Sequence, residues 1–249
     1  MTKRWILVAA VVVAVACAKS NRLPTEAWGV TDYAGAGLNI DKPWTADDYA
    51  SAAKVLENVT VEHRERLPRF RGERSGAVFA KLLVDPPEDA AAAIDKRFIA
   101  HSTRSEALGA IARLYLPNQL DTPPREWIEL MGASLREAAM LASEADAFIA
   151  SFGADDPKRA ARLEGLARMN LGYGSMLLGG LLVADQLRLP EDDRVAMLQH
   201  VTAALPVLFP RTAADTQQQI RDVLAKQVAG FPAGRLRAAA VAAQQALPK

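Results

Sequence analysis

Apolar residues along most of this chain recur at alternating steps of three and four, which is the period of amphipathic α-helices and not of strands. Cap and breaker residues separate the helical segments: Thr45 and Ser75 precede two early ones, and Pro190, Thr212 and Pro232 precede later ones. No repeat of roughly 20 to 50 residues is visible, so a solenoid is not expected. The pattern predicts an all-α bundle of about seven to nine helices.

Residues 124–187 give the clearest tertiary prediction. Their first half carries a three-four seam of mostly bulky residues, namely Ile128, Met131, Leu135, Ala138, Ala142, Ala145, Ile149 and Phe152. Their second half repeats the spacing with mostly small residues, namely Ala161, Gly165, Arg168, Gly172, Ser175 and Gly179. A Gly-Ala-Asp-Asp-Pro sequence at 153–157 has the cap and N1 proline of a tight turn before a helix. We therefore predict a long central antiparallel αα-hairpin whose helix axes approach to about 8 Å.

Folding the two halves about this turn sets bulky residues of the first against small residues of the second. The predicted facing pairs are Ile149–Ala161, Ala145–Gly165, Ala138–Gly172, Leu135–Ser175 and Met131–Gly179. On this register a leucine at Gly172 or Gly179 overpacks the seam, whereas a leucine at Gly132, off the seam, costs less if that face is exposed. Residues 171–184 carry no charge. Because a helix that is apolar all round is normally buried, we expect this stretch at the centre of the bundle.

The N-terminal residues have a different character. Lys3 and Arg4 precede a charge-free run of 12 residues, Trp5 to Ala16, which ends in small residues before Cys17, the only cysteine. A helix of this length is too short for a hydrocarbon core of roughly 30 Å. The arrangement resembles a bacterial lipoprotein signal peptide. The resemblance implies that Cys17 is lipidated and begins the mature chain, and Ala18 after it implies the outer membrane, facing the periplasm.

The predicted boundaries between the segments of the chain follow from this assignment. We expect a signal peptide at 1–16, a lipid anchor and tether at 17–43, and a single all-α domain at 44–249. The tether combines glycine and proline with no apolar period. Ala14-Val15-Ala16 also fits the cleavage site of an ordinary secretory signal, so a soluble periplasmic or secreted protein is the alternative.

The charge balance limits the classes of partner. Basic residues number 30 and acidic residues 29, and loss of Lys3 and Arg4 with the signal leaves a net charge of −1. Such a balance gives no electrostatic support for nucleic acid as a partner. The expected partners are the membrane, reached through the N-terminal lipid, and a protein of the cell envelope.

Motifs for chemistry are missing from the sequence. His63, His101 and His200 lie in separate segments, and none forms the i,i+4 pair of a helical zinc site. No serine lies in a nucleophile elbow, and no glycine-rich phosphate loop is present. We therefore assign no catalytic residue, no metal ligand and no cofactor.

Two weaker candidates for binding remain. Arg69, Arg71 and Arg74 precede the helix start at Ser75, where arginine forks and free N–H groups suit an anion or a lipid headgroup. The alternative is a solvated loop whose charges pair internally. Asn170 and Tyr173 are polar positions on an otherwise apolar helix, which suits either a ligand cavity or satisfied polar groups in the core.

Together these features predict a membrane-anchored bacterial envelope lipoprotein that acts by interaction, as a scaffold or assembly accessory, and is not an enzyme. One alternative is a periplasmic small-molecule or lipid-binding helical carrier, and a second is an enzyme with an unrecognised site. A contiguous apolar surface patch would favour the interaction protein. An apolar cavity would favour the carrier, and a cleft that joins a histidine to a carboxylate would favour the enzyme.

Overall fold

The computed structural model describes residues 37–39, 41–57, 67–68, 76–85, 91–115 and 124–248. Within these ranges every regular element is helical, which confirms the predicted all-α bundle. In chain order the helices are α1 Ala46–Glu57, α2 Gly76–Leu83, α3 Ile94–Tyr115, α4 Arg125–Ala150, α5 Pro157–Ala184, α6 Glu191–Leu208, α7 Ala214–Gly230 and α8 Arg235–Gln245. A 3₁₀ turn, Phe209–Arg211, joins α6 to α7.

Local caps start two of the helices as the sequence predicts. The Thr45 backbone N–H donates to Asp48 Oδ2 at 2.7 Å, and the Asp48 N–H lies 3.4 Å from Thr45 Oγ1, which forms a reciprocal capping arrangement at α1. At α5 the Asp156 carboxylate accepts a hydrogen bond from the Lys158 N–H at 2.8 Å, and Pro157 occupies the first turn.

The core runs along α4 and α6. Helix α4 packs against α2, α3, α5 and α6, and α6 packs in turn against α4, α5, α8 and the 3₁₀ turn. Helix α6 contributes five side chains with no exposed area, namely Met197, Leu198, Val201, Leu205 and Leu208. Since each such side chain stabilises the fold by roughly 1.5–3 kcal/mol, α6 is a central helix of the bundle.

Near the turn, α4 and α5 border a common cavity. Ile149 and Ala145 of α4 and Ala161 and Gly165 of α5 all line this cavity, whose volume is about 260 Å³. A Cβ placed on Gly165 would meet no heavy atom within 4 Å, so the predicted tight seam does not form at this position.

Farther from the turn, both helices pack against α6. A Cβ placed on Gly132 of α4 would lie 2.5 Å from the His200 ring of α6. A Cβ placed on Gly180 of α5 would lie 2.6 Å from Val201 Cγ2, again on α6. The glycines that allow close helix approach are thus ones that face α6.

The predicted close packing of the hairpin seam is therefore wrong at Gly172 and Gly179. A Cβ on Gly172 or Gly179 would meet no heavy atom within 4 Å, and Gly172 and Ser175 are exposed. Gly132, which the predicted seam left unpacked, is in close contact instead. The pairs that do not form a packed seam are Ala138–Gly172, Leu135–Ser175 and Met131–Gly179.

Helix α5 is also not the central helix that its charge-free stretch predicted. Its opposite face carries Tyr173, Leu177 and Leu181, which are all buried. These side chains remove far more apolar area from water than glycines do, so this face is the one that packs against the bundle. Leu171 and Leu182 are left 70% and 58% exposed.

Buried polar side chains fix the C-terminal end of α5 in this orientation. The Gln227 side-chain amide donates to the Leu181 carbonyl at 2.7 Å, and Arg194 Nε donates to the Ala184 carbonyl at 2.7 Å. Both side chains are buried. The Leu181 carbonyl also accepts from the Asp185 N–H at 3.2 Å, whereas Ala184 is the last residue of α5, where helix geometry leaves carbonyls without intrahelical partners.

Candidate functional site

Helix α5 exposes apolar residues on a stretch that carries no charge. We call the residues that this helix turns away from the bundle, Leu171, Gly172, Ser175, Gly179 and Leu182, the outward face of α5. No charged residue lies between Leu171 and Ala184. Exposed single leucines are ordinary, but apolar and small residues aligned over three turns without a charge are typical of a contact surface.

The length of α5 raises the question of a membrane span. Among the residues that the structure describes, no helix combines the length and the apolarity that crossing a bilayer requires. In α5 the charges of the first half, including Arg162, Glu164 and Arg168, interrupt the apolar sequence. We therefore consider the outward face of α5 as a surface for another molecule and not as part of a spanning helix.

The two predicted cavity residues lie beside this face, towards the bundle. Tyr173 is buried, and burial raises the pKa of its hydroxyl to about 12. The Tyr173 hydroxyl and Asn170 Oδ1 are both buried, and neither has a hydrogen-bond partner among the described residues. Other residues line the cavities of about 240 and 260 Å³ in this structure, so the ligand role of Asn170 and Tyr173 stays a prediction.

A second candidate is a buried polar cluster between α3 and α4. His101 and Arg104 lie one turn apart on α3, and both contact Glu137 of α4, whose side chain is 1% exposed. His101 Nδ1 lies 2.5 Å from Glu137 Oε1, and Arg104 Nη1 donates to Glu137 Oε2. A buried carboxylate without partners would be costly, so these two contacts allow Glu137 to occupy the interior.

Arg104 extends the cluster to the residues that follow α2. Its Nη2 donates to the Val84 carbonyl at 3.2 Å and to Asp85 Oδ1 at 2.9 Å, and its guanidinium lies 4.7 Å from the centre of the Tyr49 ring. Burial alone would raise the pKa of Asp85, but the hydrogen bond from Arg104 and the charge of Arg136 outweigh it and lower that pKa. The cluster thus joins α1, α3 and α4 to the end of α2.

A cavity of about 240 Å³ lies beside this cluster, lined by the cluster and by apolar residues such as Met140 and Ala204. It joins a histidine to a carboxylate, which is the geometry that would favour an enzyme. However, His101 and Arg104 already engage the two oxygens of Glu137. The arrangement is that of an ion-pair network that connects α3 and α4.

His200 forms a smaller contact of the same kind. Its Nε2 lies 3.3 Å from Glu129 Oε2, at ion-pair distance but without the alignment of a hydrogen bond. The contact with His200, aided by Arg125, lowers the pKa of the Glu129 carboxyl. In the part of the chain that the structure describes, no three His, Cys, Asp or Glu side chains are grouped so that they could hold a metal ion.

Several predicted site residues lie outside the described residues. These are the lipidation candidate Cys17, the anion-binding candidates Arg69, Arg71 and Arg74, and the histidine His63. The predictions for them therefore stay predictions.

Glu137 is the residue of this region that the sequence pattern missed. It lies next to Ala138 of the predicted seam, where a charged residue is normally taken to face solvent. The signal that could have revealed it is the spacing of its buried neighbours Ser134, Leu141 and Phe148, which recur at three, four and seven residues on the same face of α4.

Comparison with known proteins adds no assignment. No family model matches the chain, no curated protein matches its sequence and no solved structure matches its fold.

Proposed function

We propose that this protein is a membrane-anchored bacterial envelope lipoprotein that acts by binding another protein, as a scaffold or assembly accessory, through the outward face of α5. The observation that carries the proposal is the exposure of Leu171 and Leu182, 70% and 58%, on a stretch of helix without charge. Keeping such a face in water forgoes the free energy that its burial would release.

The composition of this face suits a helical partner. Gly172 and Gly179 stand seven residues apart, and a Cβ at either would meet no atom of the protein. Small residues let the axis of a second helix approach closely, while flanking leucines supply apolar area. A protein helix fits the face better than a polar ligand does, because the face offers no charged group to orient one.

The N-terminal sequence supports the location. Lipidation of Cys17 would tether the domain to the membrane, and we place it at the outer membrane, facing the periplasm. Replacement by Cys17→Ser should move the protein from the membrane fraction to the soluble periplasm. If the wild-type protein is already soluble and begins at Lys19, the lipoprotein assignment fails and the secreted alternative replaces it.

Two observations bear on the alternatives. Asn170 and Tyr173, on which the carrier alternative rested, do not line the cavities of about 240 and 260 Å³ described above. For an enzyme, the best group is the pair His101 and Glu137, but the Glu137 oxygens are already bonded to His101 and Arg104.

Site-specific photocrosslinking in intact cells tests the proposal. A photoreactive side chain at Leu171 or Leu182 should give one discrete crosslinked species, identified by mass spectrometry. The matched control is Gln218, an exposed position of α7. The same probe at Gln218 should not give that species. Absence of a crosslink at both leucines, or an identical pattern at Gln218, would refute the proposal, and a product of two copies would identify the partner as the protein itself.

A further inference from the structure

A cavity lies near the turn between α3, α4 and α5, and we call it the hairpin cavity. Its volume is about 260 Å³. Phe98 and Phe148 stack in its wall with ring centres 4.1 Å apart and planes 4° apart, and Leu166 and Met169 of α5 complete the apolar lining. A cavity of about 150 Å³ holds benzene, so this one has room for a phenyl ring on a short chain.

The rim of the hairpin cavity carries two opposite charges. Ser102 and Glu106 stand on the α3 side, and Arg162 stands on the α5 side with its guanidinium 5.7 Å from the centre of the Phe148 ring. Glu106 and Arg162 are exposed, and neither forms an ion pair with another described residue. Each therefore has hydrogen-bonding capacity available for a ligand.

We propose that the hairpin cavity binds a free amino acid with an apolar side chain of about the size of phenylalanine. The side chain occupies the space beside Phe98 and Phe148, the carboxylate pairs with Arg162, and the ammonium group pairs with Glu106. An apolar pocket with a few converging polar groups is the usual form of a small-molecule site. An arginine fork matches a carboxylate, and a rim with one cation and one anion is complementary to a zwitterion. This site is separate from the protein-binding role of the outward face of α5.

The contributions of the two charged residues can be tested separately by calorimetric titration of the purified full chain. The probes are L-phenylalanine, 3-phenylpropionate, which lacks the ammonium group, and 2-phenylethylamine, which lacks the carboxylate. L-Phenylalanine should bind saturably and about tenfold more tightly than either analogue, as expected for loss of one charge pair. The variant Glu106→Gln should abolish its advantage over 3-phenylpropionate, and Arg162→Gln its advantage over 2-phenylethylamine. Equal affinities for the three probes, or no saturable binding, would overturn the proposal.

A filling variant tests the location. A Cβ at Gly165 meets nothing within 4 Å, and the residue lines the cavity, so Gly165→Leu should fill the space while the protein stays folded. The control is Gly230→Leu, an equally open position at the end of α7 and outside the cavity. Binding of L-phenylalanine should weaken at least tenfold in the first variant and be unchanged in the second. Equal binding by both variants would place the ligand elsewhere and refute the site; if Gly165→Leu fails to fold, the two rim variants decide.

Discussion

Both faces of the 171–184 stretch of α5 lack charge, but they have opposite environments. One face buries Tyr173, Leu177 and Leu181 against the bundle, and its Gly180 touches α6. The other face leaves Leu171 exposed, and its glycines meet no atom of the protein. The difference shows that a small-residue stripe at helical spacing marks close approach only when another helix is present to use it.

What decides between the two faces is the area that each can remove from water. Leucine and tyrosine side chains bury much more apolar surface than glycine, so packing the larger side chains against α6 gives the greater stabilisation. The glycine face is then left for a molecule outside this chain. In our account the stripe is retained for binding and not for folding, and the variants below test that division.

The largest expected effect is a contrast between two identical substitutions on α5. Gly180→Leu would drive a side chain into Val201 and Met197 of α6, so we expect a loss of about 3 kcal/mol or more in the free energy of unfolding. Gly172→Leu points into open space and should cost less than about 0.5 kcal/mol. Urea unfolding of the purified variants measures both. Equal losses would mean that the outward face of α5 is packed after all.

The next largest effect is a loss of stability at alkaline pH through Tyr173, which lies on the face of α5 that packs against the bundle. Burial raises the pKa of Tyr173 to about 12, above the value near 10 of an exposed tyrosine. The unfolded chain therefore loses this proton more readily than the folded one, and stability should fall between about pH 10 and pH 12. At about 1.4 kcal/mol per pKa unit the loss approaches 2–3 kcal/mol.

The variant Tyr173→Phe isolates that contribution. It should match or exceed wild-type stability at pH 7, because the hydroxyl is buried without a partner among the described residues. It should also lose less stability than wild type as the pH rises above 10. Chemical denaturation across pH 7 to 11.5 measures this, and parallel pH profiles for the two proteins would show that Tyr173 is not shielded from water.

The sequence alone predicts the helices and their caps better than it predicts how the helices pack against one another. The helices and caps at Thr45, Asp156 and Pro157 follow from local rules, and the structure contains them. The hairpin register depends on which helices compete for a face. Since α4 and α5 each carry two suitable faces, the spacing could not show that α6 packs against both and leaves Gly172 in solvent.

The candidate sites show the same limit. A histidine and a carboxylate 36 residues apart meet in the cluster of His101 and Glu137, and no motif connects them in the sequence. The hairpin cavity depends on the angle at which α5 leaves the turn, which is a property of three helices together. Likewise, the exposure of Leu171 could be recognised only once the structure showed which face of α5 packs against the bundle.

A smaller effect, of opposite sign, is expected from alanine on the outward face. Glycine in a helix interior is less favourable than alanine by about 0.8–1 kcal/mol, and no atom opposes a methyl group at Gly172 or Gly179. Gly172→Ala and Gly179→Ala should therefore each raise the melting temperature. Gly180→Ala, where the methyl meets Val201 at 2.6 Å, should lower it. A loss in all three variants would contradict the assignment of the two faces.

The smallest effect on folding is expected where the effect on binding should be largest. Leu171→Glu places a charge at a position that is 70% exposed, so the free energy of unfolding should change by less than about 0.5 kcal/mol. In cells the same variant should abolish the crosslink made from Leu182, because a charge buried in an apolar interface is unfavourable. A destabilised Leu171→Glu protein would show that the face belongs to the fold.

The central claim, that another molecule covers the outward face of α5 in the cell, is tested most directly by thiol labelling. Ser175→Cys places a thiol in the middle of this face, and Gln218→Cys provides an exposed control on α7. Both thiols should react fully with a maleimide in the purified proteins, with the wild-type chain giving the background. In intact cells the account predicts that the thiol at position 175 is protected while the one at position 218 still reacts. Equal reaction at both positions in cells would contradict it.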